Sequence, residues 1–598
     1  PNLCTMVWIP LVFLALDGYA RDRSLGWIGL GIGAFALQIL AGHIQYFYYT
    51  VLVAGLYVLA QLPRAQRKVS YLVGPAAMLG GACLLTAVQL MAGWEATQES
   101  IRGQALPLNL ILSNDLMPER VWSWWAPFFY GDDLHHNYWG GGMYWEGSLF
   151  VSVTGIALAF YGFFASRAPK RKLVAGLGIF IILLAMGKRT PLFLIFYHWM
   201  PLFGDFRGAA KLNILITLWV CFLAAAGLDH YLKNESQSRG LIRWTGGFAL
   251  GVSALAALFY YAPVLGLGRL FGKFGSHASE MVKNIFICSL MLGLVTLVAW
   301  AGKRQSSLRF GLLALAFLEL FFFARANRGG FDLPTLEKKA AGIQAVYDHQ
   351  PGDYRVTAEP SNIVLGTQGF DVWGNDPMIP GRYALFLAAS QKEDAGSHFV
   401  DKPFFRNYPK VLGMTRLRYI FTPQGDGWKI KKTNFREQAR VSLISDWRIA
   451  LGHSALKQLA DPRFNFRKKV LLESDPGFAS TPRKPQGLVQ WKDISTDQME
   501  IEAENSKPCV LVVSDNYAKG WRVKAASDDT QKIYRVMPAN FFQRGIPLKA
   551  GHHHFILEYL PRSFVLGKWI SIVSLIFFAV LGLVWMTRRR WSIFRKKD

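Results

Sequence analysis

The stretch Gly93–Gly147 carries Glu95, Glu99, Asp115, Glu119, Asp132, Asp133 and Glu146 against only Arg102 and Arg120, a net charge of −5. Among these acids lie Trp122, Trp124, Trp125, Phe128, Phe129, Tyr130, Tyr138, Trp139, Tyr144 and Trp145. Flat rings stack on the apolar faces of sugars while carboxylates accept their hydroxyl hydrogen bonds, so the mixture suits a sugar site. Trp125, Tyr130 and Trp139 are the candidate platforms, with His135 and His136 beside them. The alternative for each ring is an aromatic belt at a membrane interface. Asp132, Asp133 and Glu146 are the candidates for general acid–base work. Metal ligation by Asp132-Asp133 and His135-His136 is the other chemistry open to that group, and a solvated turn is the plain alternative.

A second group is basic. Lys188, Arg189, His198, Asp205, Arg207 and Lys211 fall within 24 residues of sequence. Arg189, Arg207 and Lys211 are candidates to bind a donor phosphate, because guanidinium groups pair with phosphate in bidentate fashion. The alternatives are a local Asp205–Arg207 pair or side chains reaching to lipid headgroups. A helix is expected to begin at Gly208-Ala209-Ala210-Lys211, and its amino terminus would favour the same anion. His43, in Gly42-His43-Ile44-Gln45, is a candidate sugar contact or an interfacial residue. Glu319 lies in an otherwise apolar run, which marks it for function unless helix packing satisfies it. His552-His553-His554 alternates across a strand and is expected at the surface. The five cysteines show no CxxC or Cys/His spacing, so no metal site is defined, although a divalent metal stays open for the acidic stretch. No Walker, dinucleotide, GxSxG or HExxH pattern occurs.

The elements that must position these residues are membrane helices. The chain has 598 residues, of which 52% are hydrophobic and only 18% charged, and its mean hydropathy is +0.20. Soluble chains are about 25% charged. Eleven apolar runs read as spans: Asn2–Leu16, Leu25–Ala41, Tyr46–Leu62, Tyr71–Met91, Ser148–Ala165, Leu173–Met186, Ile214–Leu232, Leu241–Ala262, Val282–Ala301, Phe310–Ala324 and Val565–Met586. On this topology one set of loops and the tail hold 21 Lys and Arg, and the opposite loops hold seven, Arg269 and Lys273 among them. The basic set is therefore expected in the cytoplasm, which also accounts for the formal charge of +26 without nucleic acid. Gly93–Gly147, Gly187–Lys211 and the insert before the last span are then extracytoplasmic. In the insert, strands are expected at Lys469–Glu473, Met499–Ala503, Val510–Ser514, Trp521–Ala525, Ile533–Met537 and His553–Tyr559, as a β-sandwich with Trp521 in its core. The expected organisation is residues 1–324 as a multi-span region, 325–450 as a mixed α/β region, 451–562 as a β-sandwich, and 563–598 as the final span with a basic tail.

Several stretches together resemble the bacterial YfhO family of polytopic membrane proteins, which look like GT-C-type glycosyltransferases. They are Trp8-Ile9-Pro10-Leu11, Gly42-His43-Ile44-Gln45, Trp125-Ala126-Pro127-Phe128-Phe129-Tyr130-Gly131, and Met200-Pro201-Leu202-Phe203-Gly204-Asp205-Phe206-Arg207. Ser514-Asp515-Asn516-Tyr517 and His554-Phe555-Ile556-Leu557-Glu558-Tyr559-Leu560-Pro561 continue the series. The resemblance implies transfer of a sugar from an undecaprenyl-phosphate donor to a cell-surface glycan or lipid at the bacterial cytoplasmic membrane. Its partners would be the bilayer, the lipid-linked sugar and the acceptor. A flippase or a non-catalytic scaffold for glycan assembly is the alternative. Such enzymes place a catalytic carboxylate between their first two spans. This sequence opens at Pro1 in what matches a later helix, so that carboxylate is expected ahead of it.

Overall fold

The computed structural model describes residues 2–103, 108–233, 238–261, 277–330, 332–358, 361–374, 378–392, 408–482, 487–527 and 529–594. Arg269, Lys273 and the tail residues Arg595, Lys596 and Lys597 lie outside them. The chain forms two compact units. One holds Pro1–Thr86, Ala105–Gly330 and Ile576–Asp598, and the other Ala87–Gln104 and Phe331–Leu575.

The first unit is helical. Among the described residues of the chain, eight helices are long and apolar enough to cross a membrane, which needs about 20 residues each. Leu25–Leu40 and Val153–Ala165 are apolar but shorter, and Arg171–Ala185 covers 15 residues. The expected run Tyr71–Met91 is divided. The helix Lys68–Leu85 stops at Thr86, whose hydroxyl donates to the Ala82 carbonyl at 2.8 Å, and a separate helix occupies Ala87–Glu99.

Small residues let two of these helices meet backbone to backbone. A Cβ built on Gly162 would lie 2.6 Å from the Gly227 nitrogen, so Val153–Ala165 and Asn213–Lys233 cross with glycine facing glycine. Glu319 has its explanation in the same bundle. Its carboxylate accepts from the amides of Val153 (2.6 Å) and Thr154 (3.3 Å) and from the Thr154 hydroxyl, capping the start of Val153–Ala165. The buried acid is matched by donors that a helix leaves unpaired. Contacts also join loops expected to share a side. Asp17 pairs with Lys170, and Arg309 donates to the carbonyls of Gly302 (3.0 Å) and Leu232 (3.3 Å).

The second unit is rich in strands. The helix Leu333–His349 packs on a three-stranded sheet of Arg355–Ala358, Leu417–Gln424 and Gly427–Lys432. A six-stranded sheet runs in the order Val441–Ile444, Cys509–Asn516, Gln543–Leu548, Met537–Ala539, Lys469–Leu472, Asp446–Ile449. A four-stranded sheet runs Trp521–Ala525, Gly551–Tyr559, Gln498–Asn505, Gly487–Ser495. The residue pattern explains both. Met499, Ile501 and Ala503 are buried while Glu500, Glu502 and Glu504 point away, as a half-buried strand requires. Those three join Leu511, Val513, Ile546, Phe555 and Leu557 in one core between the two sheets. The other face of the strand Cys509–Asn516 packs Val510 and Val512 into a second core, so Cys509–Val513 is apolar throughout.

Three expectations change here. No strand covers Ile533–Val536. Ile533 is 86% exposed, and pairing starts only at Met537. His553 is fully buried, not on the surface. It bonds the Tyr534 hydroxyl at 2.6 Å and the Lys549 carbonyl at 2.9 Å. Trp521 is half-buried at the border of the core, because the Arg544 guanidinium covers its ring at 3.4 Å.

Candidate functional site

The helical unit brings five separate segments to one place. The helix Ile44–Gln61 begins just after His43, and Gln45 on its first turn donates to the Tyr49 hydroxyl at 3.0 Å and to the Arg207 carbonyl at 2.8 Å. The amide of Gly208 reaches the Ile111 carbonyl at 3.4 Å, and the amide of Ala210 reaches Asn114 at 3.3 Å. The expected helix start differs. Ala209–Leu212 is a single 3-10 turn, and the α-helix begins at Asn213. Gly208 makes the bend at φ +75°, a backbone state that side chains oppose.

At this bend Lys211 Nζ lies 2.9 Å from Glu146 Oε1, with side-chain exposures of 12% and 8%. Asn213 Nδ2 donates to the Glu146 carbonyl at 2.8 Å and fixes the segment that carries the acid. A Cβ on Gly208 would sit 3.0 Å from Glu146 Oε2 and 3.1 Å from Lys211 Nζ, so glycine is what lets both groups approach. Three buried polar atoms here have no hydrogen-bond partner among the described residues: Glu146 Oε2, His43 Nδ1 and Asn213 Oδ1. Burial, and then the Lys211 charge, hold the His43 imidazole well below its ordinary pKa, so the ring is neutral at pH 7. A carboxylate, an ammonium and a neutral imidazole thus meet in a water-poor setting where proton transfer and anion binding are both chemically available.

The other basic candidates divide. Arg189 Nη1 is 2.7 Å from Asp115 Oδ2, and Asp115 adjoins the Asn114 that holds Ala210. Arg207 contributes its carbonyl to the bend, accepting from Gln45 and from Lys211 Nζ at 3.4 Å.

The aromatic and acidic candidates are arranged otherwise. Asp132 accepts from the His135 amide and Nδ1 at 2.8 Å each, which closes a turn. Burial raises the acid's pKa, but those bonds outweigh it and hold the carboxyl below the ordinary range. Asp133 and His136 lie exposed on the same turn. Tyr130 donates to the Glu119 carbonyl at 2.6 Å, and Trp139 stacks on His277 at 4.7 Å. Arg120, weighed in the sequence only as a charge, is buried and donates to the Met143 carbonyl at 2.9 Å, to the Gly141 carbonyl and to the Tyr138 hydroxyl. It organises the loop in the manner of a packed core.

Trp125 lines an apolar groove of about 320 Å³ with Phe160, Phe164, Trp244 and Phe248. Among the described residues no group of three or more His, Cys, Asp or Glu is placed to hold a metal ion. Gln45, Gly208 and Asn213 are the positioning residues that spacing alone did not reveal, since each acts on a partner distant in sequence.

No protein-family model matches the chain, and neither a curated protein nor a solved structure matches it.

Proposed function

We propose that the chain is a membrane glycosyltransferase that moves a sugar from an undecaprenyl-phosphate donor to a cell-surface glycan or lipid on the extracytoplasmic face of a bacterial cytoplasmic membrane. The observation that carries this reading is the buried Glu146–Lys211 pair with the unpartnered Glu146 Oε2 and His43 Nδ1 beside it. An entering donor phosphate draws the Lys211 ammonium, and Arg207 and Arg189 flank the same bend. Glu146 is then released to accept the proton of the acceptor hydroxyl. The hydroxyl oxygen bonds to the anomeric carbon as the carbon–phosphate oxygen bond breaks, and undecaprenyl phosphate leaves with that electron pair.

The apolar groove beside Trp125 suits a polyprenyl chain, being lined by rings and open along two helices, Val153–Ala165 and Ser238–Tyr261. The asymmetry of 21 basic residues against seven supports the orientation, and among the described residues eight helices are long and apolar enough to cross a membrane. The resemblance to the YfhO family and the GT-C plan points the same way.

The test is transfer of radiolabelled sugar from a panel of undecaprenyl-phosphate glycosides by the purified chain in lipid vesicles. Turnover that vanishes in Glu146→Gln is the expected result. Turnover by Glu146→Gln at the wild-type rate removes the acid from the mechanism, and absence of transfer by the wild-type full-length protein overturns the reading.

A further inference from the structure

The strand-rich unit holds a second cavity, of about 420 Å³, lined by Arg355, Phe370, Trp373, Tyr383 and Asn516 among others. Ligand cavities fall between about 300 and 1,000 Å³. Its walls are fixed from behind. Asp371 accepts from the amides of Trp373 (2.7 Å), Gly374 (3.1 Å) and Ala358 (3.1 Å), and the Tyr383 hydroxyl donates to the Val372 carbonyl at 2.5 Å. The Trp373 ring is therefore carried on an anchored turn and not on a loose loop.

The polar side of the cavity is also fixed. Arg355 Nη2 lies 2.6 Å from Asp515 Oδ1, and Arg544 Nε holds the Asn516 carbonyl at 2.8 Å. Two side-chain atoms of this wall are buried without a hydrogen-bond partner among the described residues: the donor Arg355 Nε and the acceptor Asn516 Oδ1. Leaving such atoms unpaired is costly, and native structures rarely do so. One donor and one acceptor beside a flat ring are matched by a single hydroxyl, which accepts from one and donates to the other. An anion fits less well, because Asn516 presents an acceptor oxygen.

We infer that this cavity binds a pyranose ring of a glycan, stacked on Trp373 with one hydroxyl bridging Arg355 Nε and Asn516 Oδ1. The inference rests on the glycosyltransferase reading in one respect, that the bound glycan is the acceptor.

Binding is measured without any donor, so the two proposals fail separately. The full chain, in a detergent without a sugar headgroup, is titrated with the methyl glycosides of glucose, galactose, mannose and N-acetylglucosamine by saturation-transfer NMR. At least one should bind saturably, and Trp373→Ala and Asn516→Ala should each weaken it about tenfold while both variants remain folded by circular dichroism. Binding that both folded variants retain at wild-type strength overturns the site, as does the absence of saturable binding by all four glycosides. Trp373-dependent binding by a chain that transfers no sugar upholds the cavity while removing the transferase. Sugar transfer with a wild-type acceptor KM in Trp373→Ala does the reverse.

Discussion

Lys211 Nζ and Glu146 Oε1 lie 2.9 Å apart across 65 residues of sequence, and neither side chain is more than 12% exposed. Removing either partner leaves the other charge buried and uncompensated. Lys211→Met and Glu146→Gln should each destabilise the chain by about 3–5 kcal/mol, and the double variant by much less than the sum. Thermal melting in detergent checks this. Additive losses would mean that the two groups do not share one environment.

Gly208→Ala is a sharper version of the same test. The new methyl meets Glu146 Oε2 at 3.0 Å in a backbone state that disfavours it. A loss of about 1–3 kcal/mol is expected, and Gly208→Asn, which tolerates positive φ better, should not behave as wild type because its Cβ occupies the same place.

His43 gives a pH prediction. Its folded pKa lies below the unfolded value of about 6.5. The unfolded chain therefore takes up a proton first, so the stability His43 contributes is present above pH 6.5 and is lost as pH falls toward the folded pKa. Between pH 7 and 5 the wild-type melting temperature should drop more than that of His43→Gln. Parallel curves would show the ring to be solvated.

Asp515 behaves in the same sense at lower pH. Burial raises its pKa, but the guanidinium groups of Arg355, Arg416, Arg440 and Arg544 outweigh burial and hold it far below the carboxylate range. Arg355 and Arg416 reach Oδ1 at 2.6 and 3.1 Å, and Arg440 reaches Oδ2 at 3.0 Å. The melting gap between wild type and Asp515→Asn should be constant from pH 8 to about 5 and narrow below the unfolded carboxyl value of about 3.9. A gap independent of pH into the acid range would contradict the charge assignment.

Orientation is tested by labelling. Asp133 and Lys519 are exposed, whereas Asp132 is tied into its turn. Cysteines at Asp133 and Lys519 should react with an impermeant maleimide in intact cells, above the background of the native thiols. Labelling at Lys172 instead would reverse the topology.

What the sequence made legible follows from periodicity. Apolar length marked the helices, and the alternation Met499, Ile501, Ala503 marked a strand because burial acts on neighbours along one chain. The charged partnerships were hidden for the opposite reason. Asp115 with Arg189, Glu146 with Lys211, and Asp515 with three arginines pair residues 65 to 160 positions apart. No local spacing encodes such pairs. Ile533 misled because an apolar side chain beside polar neighbours reads as a strand, while the chain there leaves it in solvent.

Glu319 also sets an order of assembly. The carboxylate that caps Val153–Ala165 is encoded 166 residues after the Val153 amide it binds. When Val153–Ala165 leaves the ribosome its first amides have no such acceptor, and a 13-residue helix is marginal by itself. Its amino-terminal turn becomes complete only once Gly311–Ala326 has been made and has docked. Ser152 caps the Gly155 amide from within the segment, so a chain arrested before Glu319 would lack the acceptor only for the Val153 and Thr154 amides.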